Sequence, residues 1–380
     1  MRILFVSPFP PARDGIGTYT QALMGALEAR GHETRVVVPR QQEGDALGHL
    51  GDLPALNNAV RDWSPDLVHV QFAVAAFGTR TRTLLSWLRQ LRATSSVPVI
   101  ATMHEVTRDT ATLRAPGRAL YRKIAAQCHH VIVHTRSART TLTGQVGRPE
   151  AAVSVIPHPE ARPPRAVSTP EDLRDHYELG DLEILLAFGF VHVDKGLDDL
   201  VMALRIVGSS SLEGVRLVIA GTVRPRHGLF RVFELRDRLH LGQVLRMARR
   251  SGLADTVVQT GYVPEADVAG WFQAASAVVL PYRRTEQSGV AGLANAFGTP
   301  VLASTAGGLG EQYAASRWTF PPRSPEKLAE VLSGFLATSR PDRASARMAV
   351  ADMDSIVEAT LSVYEIPATV VRAGTLPDAP

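Results

Sequence analysis

The stretch Pro281–Gly298, PYRRTEQSGVAGLANAFG, holds the residue types in this chain best suited to chemistry. An apolar run, Ala274–Leu280, leads into it, and Pro281 ends that run. Glu286, Gln287, Ser288 and Gly289 follow, then the small-residue segment Val290–Phe297. The order reads as strand, polar loop, helix start. Backbone N–H groups at a helix N-terminus hold an anion, and a glycine there lets a ligand come close to the backbone. The stretch reads as the seat of a phosphorylated ligand with Glu286 beside it for hydroxyls, or else as an ordinary strand-to-helix turn. A second candidate is Lys195 in GFVHVDKG, a cation next to a glycine and a following helix. It would meet a phosphate as a point charge, unless it is simply a solvated surface lysine. His192 in the same loop is a second cation or a spectator. His104, in ATMHEV, ends an apolar strand candidate, and His69, Glu105 and His134 also sit at or beside strand ends. Strand-end histidines can titrate in a site, but more often they are satisfied structural groups.

The elements that must position these residues alternate. In the first half, strands are predicted at Ile3–Val6, Arg35–Val38, Leu67–Val70, Val97–Thr102, Val131–Val133 and Val153–Ile156. Helices are predicted between them at Thr18–Arg30, Leu56–Asp62, Thr81–Arg92 and Arg118–Gln127. Short apolar runs alternating with amphipathic segments predict an α/β chain with doubly wound parallel sheets, whose ligands bind beyond the carboxyl ends of the strands. Gly15 and Gly17 fall in the loop PFPPARDGIGTYT after the first strand. This is not a dinucleotide fingerprint, because the third glycine is missing and Arg40 follows the second strand where an acid is wanted. It is not a Walker loop either, having no G-K-[ST]. Five prolines between Pro157 and Pro170 predict a linker. The pattern then restarts, with strands at Ile184–Phe188, Leu217–Ala220, Val257–Thr260, Ala277–Leu280 and Val301–Ala303 and a helix at Leu197–Val207. The expected division is a first domain over 1–160, a linker over 161–178, a second domain over 179–347, a helix at about 348–366 packing back on the first domain, and a flexible tail over 367–380.

Composition narrows the function classes. The chain has 380 residues, 45% hydrophobic and 21% charged, with a formal charge of +4. That is a globular composition with mixed charge, which permits phosphate-bearing ligands or an anionic membrane surface and does not call for nucleic acid. No uncharged apolar run is long enough to span a bilayer, and MRILFVSP lacks a signal-peptide layout. The single Cys128 allows no internal disulfide and fits a reducing cytoplasm. No Cys/His spacing suggests zinc. The arginine-rich stretch Arg224–Arg250 reads as an inserted amphipathic helical hairpin with a solvated basic face, or as a basic surface for an acidic acceptor or a membrane.

Taken in order, these residues resemble the retaining glycosyltransferases of the two-Rossmann GT-B type, the family-four group. DGIGTYTQALMGALEARGHE is similar to the family's glycine loop and first helix, and FGFVHVDKGLDDLVMAL to its segment around the phosphate lysine. TGYVPEADVAGWFQAASAVVLPY and EQSGVAGLANAFGTPVLASTAGGLGE are similar to its nucleotide-domain strands and donor-binding stretch. The resemblance covers nearly the whole chain. It implies two Rossmann-like domains facing each other across a cleft, and sugar transfer from a UDP- or GDP-type donor to a small-molecule, lipid-linked or saccharide hydroxyl acceptor. It places Gly15, Gly17, Lys195, His192 and the N–H groups of Ser288, Gly289 and Val290 at the donor diphosphate. Glu286 falls on the sugar hydroxyls, Tyr262 and Val263 by the base, and His104 near the reacting face. It implies same-face displacement, with neither a carboxylate nucleophile nor a metal or other cofactor. Two departures stand out. The second glutamate of the family's pair is Ala294 here, so Asn295 is the candidate for the ribose. The arginine of the phosphate loop is Phe190, which leaves a protonated His192 to supply the lost charge. The QSGV donor loop resembles a subgroup with this same alanine. The alternatives are a nucleotide-sugar-binding or catalytically impaired relative, or another GT-B reaction such as epimerisation. A weak peripheral membrane contact is compatible with the basic stretch, and the oligomeric state is left open.

Overall fold

A computed structural model of the chain describes residues 1–11, 14–42, 44–159, 163–225, 231–338, 343–347 and 351–372. Two compact units divide it, one formed by residues 1–159 with 351–380, the other by 160–350.

In the first unit seven strands, β1 (Arg2–Val6), β2 (Glu33–Val38), β3 (Gly48–His49), β4 (Leu67–Phe72), β5 (Val99–Met103), β6 (His130–Val133) and β7 (Val153–Val155), form one sheet in the order β3-β2-β1-β4-β5-β6-β7. Every pairing is parallel. In the second unit β8 (Glu183–Phe188), β9 (Val215–Ala220), β10 (Val257–Gln259), β11 (Ala277–Leu280), β12 (Val301–Ser304) and β13 (Thr319–Phe320) form a parallel sheet in the order β10-β9-β8-β11-β12-β13. The direction of winding reverses once in each sheet, between β1 and β4 and between β8 and β11. Those are the topological switch points where open α/β sheets leave a crevice for ligand.

Strand side chains alternate between faces, so each sheet has a core on both sides. Leu4 and Val6 of β1 join the cluster around Trp87 and Tyr121, while Ile3 and Phe5 join Leu23, Ile356 and Tyr364 on the other face. In the second unit Leu185 and Leu217 pack with Leu200 and Leu332, and Ile184 and Leu186 with Trp271 and Phe272.

Several boundaries differ from the sequence reading for local reasons. The first helix runs over Gly15–Glu28 and so begins before Thr18, because Asp14 caps it by accepting from the N–H groups of Ile16 and Gly17. The two glycines are thus its first turn, not a loop. The helix expected at Arg118–Gln127 reaches back to Val106, with a break at Arg114 (φ 53°) just before Pro116. Within the expected linker, Pro170–His176 is a helix with a capping box on Thr169 and Asp172, and its Leu173 is buried in the second unit. The basic stretch is one helix, Arg231–Arg250, and the part of the expected hairpin over 226–230 lies outside the described residues. The C-terminal helix is Met353–Arg372, so 367–372 of the expected tail is helical and 373–380 lies outside the described residues. The two-residue strands β3 and β13 were not legible, since two residues carry no period.

Candidate functional site

The second unit assembles its site at the switch point, from the loops after β8 and β11. Lys195 closes the first loop. Its Nζ donates to the Phe188 carbonyl (2.9 Å) and lies over the Tyr282 ring at 5.3 Å. Gly189 opens the same loop. A methyl group there would stand 3.2 Å from Lys195 Nζ and 3.8 Å from Val290 Cγ2. Lysine, glycine and the start of the helix Gly289–Phe297 therefore converge. Ser288 caps that helix by accepting from Ala291 N–H (3.2 Å), and the N–H groups of Gly289 and Val290 precede Ala291 in the same turn.

What holds the two loops together was missed in the sequence. Arg283, inside the stretch Pro281–Gly298, donates to both oxygens of Asp199 (2.9 and 2.8 Å), to Asp198 (2.7 Å) and to the Val193 carbonyl (3.3 Å). These hydrogen bonds raise its pKa further above the usual arginine value. Its own N–H donates to the Asp194 carbonyl at 2.7 Å. Gly196 sits at φ +63°, and a Cβ there would be 2.1 Å from the Pro281 carbonyl oxygen, so only glycine lets the loops touch. A Cβ on Gly307 would likewise fall 1.9 Å from the Thr285 carbonyl, which sets the backbone next to Glu286. Complementary charge was the available signal: Asp198-Asp199 one residue after Lys195-Gly196, and Arg283-Arg284 after Pro281 and Tyr282.

Glu286 is buried at 4% exposure and Asn295 at 3%, whereas Tyr262 is 65% exposed. Val263 packs partly buried against the same core as Ala294. Ala294 is fully buried there, so its side chain faces apolar neighbours. His192 Nδ1 lies 3.2 Å from Asp194 N–H, and its Nε2 faces the Arg236 guanidinium at 3.2 Å. His192 Nδ1 also lies 3.6 Å from Asp194 Oδ2, and the permanently charged Arg236 guanidinium of the helix Arg231–Arg250 is a further cation at this loop. Phe190 carries a second one, Arg224, with Cζ 4.7 Å from the ring centroid.

The first unit gathers Gly15, Gly17 and His104 near the carboxyl end of its sheet. A Cβ on Gly17 would stand 3.1 Å from the Pro8 carbonyl and 3.3 Å from Phe9 Cα, so its lack of a side chain lets the first helix pack on the loop after β1. Gly15 has open space. His104 is buried and belongs to a polar chain on one face of the sheet. Tyr364 OH contacts His69 Nδ1 (2.6 Å), and His69 Nε2 contacts Thr102 Oγ1 (2.8 Å). Gln71 bridges His69 (3.4 Å) and His104 Nε2, which meets Oε1 at 2.7 Å. His104 Nδ1 contacts His134 Nε2 (3.2 Å), and His134 Nδ1 donates to the Ile156 carbonyl (2.8 Å). Tyr19 of the first helix packs edge-on to both imidazoles, with centroids 5.6 Å apart in each case.

Donor order in this chain is set from one end. The Ile156 carbonyl only accepts, so His134 Nδ1 carries a proton and a neutral His134 receives the Nδ1 proton of His104. A neutral His104 then needs the amide N–H₂ of Gln71 at Nε2, whereas the Gln71 oxygen at that position needs one more proton on the pair. Burial pushes His104 well below its ordinary pKa, with the neighbouring histidines adding to the effect, and pushes His69 and His134 down to about 3. Rotation of the Gln71 amide and the charge of His104 are therefore linked. The motif VHVQF carried the signal, since His69 and Gln71 two apart on a strand share a face. Beside His104, burial raises Glu105 above the usual carboxylate value, against the opposing effect of its 2.6 Å bridge to Arg108; the nearby Asp109 and Asp14 charges raise it further.

The family described as "Glycosyl transferases group 1" matches residues 183–338, and "Glycosyltransferase Family 4" matches residues 13–159. This chain belongs to the family-four, group 1 glycosyltransferases. Its two parallel-sheet units are those of the GT-B fold. It is similar to the D-inositol 3-phosphate glycosyltransferase of Xylanimonas cellulosilytica, 28% identical over 56% of this chain and 51% of that one. The chain thus spans about half the length of that relative. It is also similar to the GDP-mannose-dependent alpha-(1-6)-phosphatidylinositol monomannoside mannosyltransferase of Mycolicibacterium smegmatis, 24% identical over 81% of each chain. Among solved structures, HepE of Anabaena in complex with UDP-glucose has a TM-score of 0.64 at 16% identity, over 98% of this chain and 100% of that one. Against this family's pattern, Ala294 and Phe190 are the two departures, and the structure surrounds the first with core and the second with an arginine.

Proposed function

We propose that this chain is a retaining glycosyltransferase that moves a sugar from a UDP- or GDP-type donor to a hydroxyl acceptor, with no resident metal. The observation that carries the reading is the convergence of Lys195, Gly189 and the Val290 helix tip at the switch point of the second sheet. As the anomeric C–O bond breaks, negative charge builds on the departing diphosphate. The Lys195 ammonium and the helix-tip N–H groups are fixed charge and dipole aimed at that position. The acceptor hydroxyl adds on the face the diphosphate leaves, and its proton passes to the departing phosphate oxygen, so no carboxylate nucleophile is required. Glu286 is assigned to donor sugar hydroxyls, Tyr262 and Val263 to the base, and Asn295 to the ribose. His104, Gly15, Gly17 and His192 enter through the family resemblance. Relatives named for a GDP-mannose donor and a structure holding UDP-glucose support the donor class.

The test is release of nucleoside diphosphate from a panel of UDP- and GDP-sugars, with binding of free nucleoside diphosphate measured in parallel. Lys195→Ala is expected to weaken that binding about 10- to 100-fold, the loss of a charge-assisted contact of about 1.5–3 kcal/mol. Equal affinity in variant and parent removes Lys195 from the site. Binding without turnover across many acceptors makes the chain a nucleotide-sugar-binding relative.

A further inference from the structure

Among the described residues, the helix Arg231–Arg250 is packed along one side. Asp237, His240, Val244 and Ala248 are buried, at the i, i+3, i+7, i+11 spacing of a single face. His240 Nε2 lies 3.6 Å from Asp198, and this side rests on the helix Leu197–Val207. At about 100° per residue, Val232, Leu235 and Leu239 fall within an arc of roughly 60° on the opposite side. They are 63%, 58% and 57% exposed. Arg246 and Arg250 continue the same stripe toward the C-terminal end, and Arg231, Arg238 and Arg249 flank it; all five are exposed. The two carboxylates of the helix lie elsewhere. Glu234 is turned to Arg238 (2.8 Å), and Asp237 is on the buried face.

We infer that this face docks on an anionic lipid surface, with the helix lying in the interfacial plane. Three large aliphatic side chains at i, i+3, i+7 are costly to leave in water, and the exposed guanidinium groups of Arg231, Arg246, Arg249 and Arg250 beside them complement lipid phosphates. Arginine stems cover apolar surface while the charged heads stay at headgroup level. An acidic protein partner would meet the arginines but would have no use for the aliphatic row on the same stripe. No helix among the described residues is long and apolar enough to cross a membrane, so the contact is peripheral. The inference rests on this helix alone and stands or falls separately from the transfer reaction.

Sedimentation of the full chain with vesicles tests it. Vesicles of phosphatidylcholine mixed with phosphatidylglycerol should pull the chain down at low salt, and vesicles of phosphatidylcholine alone should not. Leu235→Ser with Leu239→Ser should lower the partition on the order of ten-fold, because each loses aliphatic area from the interface. Arg246→Gln with Arg250→Gln should lower it about thirty-fold, at the strength expected of two basic residues at an anionic surface. All four positions are solvent-facing, so matched thermal unfolding controls for folding. Equal partition to neutral vesicles, or an unchanged partition in both variants, overturns the inference. So does a concentration-dependent dimer that the serine variant dissolves with no vesicle binding, which makes the stripe a contact between copies.

Discussion

Replacing Arg283 by Met tests whether the loops after β8 and β11 are held together by charge. The substitution keeps most of the stem and removes the guanidinium, leaving Asp199 (side chain 11% exposed) and Asp198 (31%) without their shared partner. Breaking a fully buried pair costs about 3–5 kcal/mol, because one charge is left buried. Here the carboxylates sit at the start of the helix Leu197–Val207, whose dipole favours them by about 0.5 kcal/mol each, and Asp198 is partly solvated. The expected loss is therefore about 2–3 kcal/mol for the second unit. With a urea m value of about 2 kcal/mol per M, the unfolding midpoint falls by about 1 M. Nucleoside diphosphate affinity should fall as well, by about ten-fold, because the Val193–Gly196 segment that carries Lys195 loses its anchor. Asp199→Asn in the Arg283→Met background should recover part of both, and a double-mutant cycle should read a coupling above about 1 kcal/mol. A loss under about 0.5 kcal/mol, or strict additivity in the cycle, would show that the cluster behaves as an exposed ion pair and that the loops are positioned by other contacts.

Gly196→Ala should destabilise the second unit by at least about 2 kcal/mol, since φ +63° is strained for alanine and the new methyl meets the Pro281 oxygen at 2.1 Å; parent-like unfolding and diphosphate binding would refute the close approach. Glu286→Gln should reduce transfer about 100-fold while changing nucleoside diphosphate affinity less than about three-fold, as expected of a group on the sugar; a matching loss of diphosphate affinity would put Glu286 on the phosphates instead. Stability should fall in acid. His69 and His134 stay neutral in the folded chain down to about 3, whereas the unfolded chain takes up those protons near the ordinary 6.5. Their contribution is thus complete above about pH 6.5 and is lost as pH falls toward 3, at about 1.4 kcal/mol per pH unit for each histidine. Stability from urea unfolding should drop by about 3 kcal/mol between pH 6.5 and about pH 5, and a flat profile would mean that the pair titrates normally in the fold.

Local pattern was enough for most of the scaffold. The apolar runs at β1, β8 and β11 and the glycine and proline punctuation around them made two wound sheets legible, because a parallel strand covered on both faces is a continuous apolar run. Lys195 and the EQSG stretch were legible because a glycine, a cation and a helix start are adjacent in sequence. Asp14, which turns the supposed glycine loop into a capped first turn, was in plain view at the usual N-cap position. Gln71 was half legible, as one end of the His69–Gln71 alternation. Arg236 was hidden inside an arginine-rich run where no single guanidinium was distinguishable from the rest.

By itself, then, the amino-acid order determined which segments form most of the strands and helices, and which loops carry the polar groups. Tertiary structure alone decided that Arg283 grips Asp198 and Asp199 some 85 positions away, and that Arg236 stands over His192. It also decided that Tyr364 closes a histidine chain begun at His134, and that an aliphatic row, Val232, Leu235 and Leu239, on one helix is left facing solvent. The physical reason is range. Periodicity and capping act over one or two turns of chain, whereas ion-pair partners, buried hydrogen bonds and the exposure of a helix face depend on which elements the sheet order brings side by side.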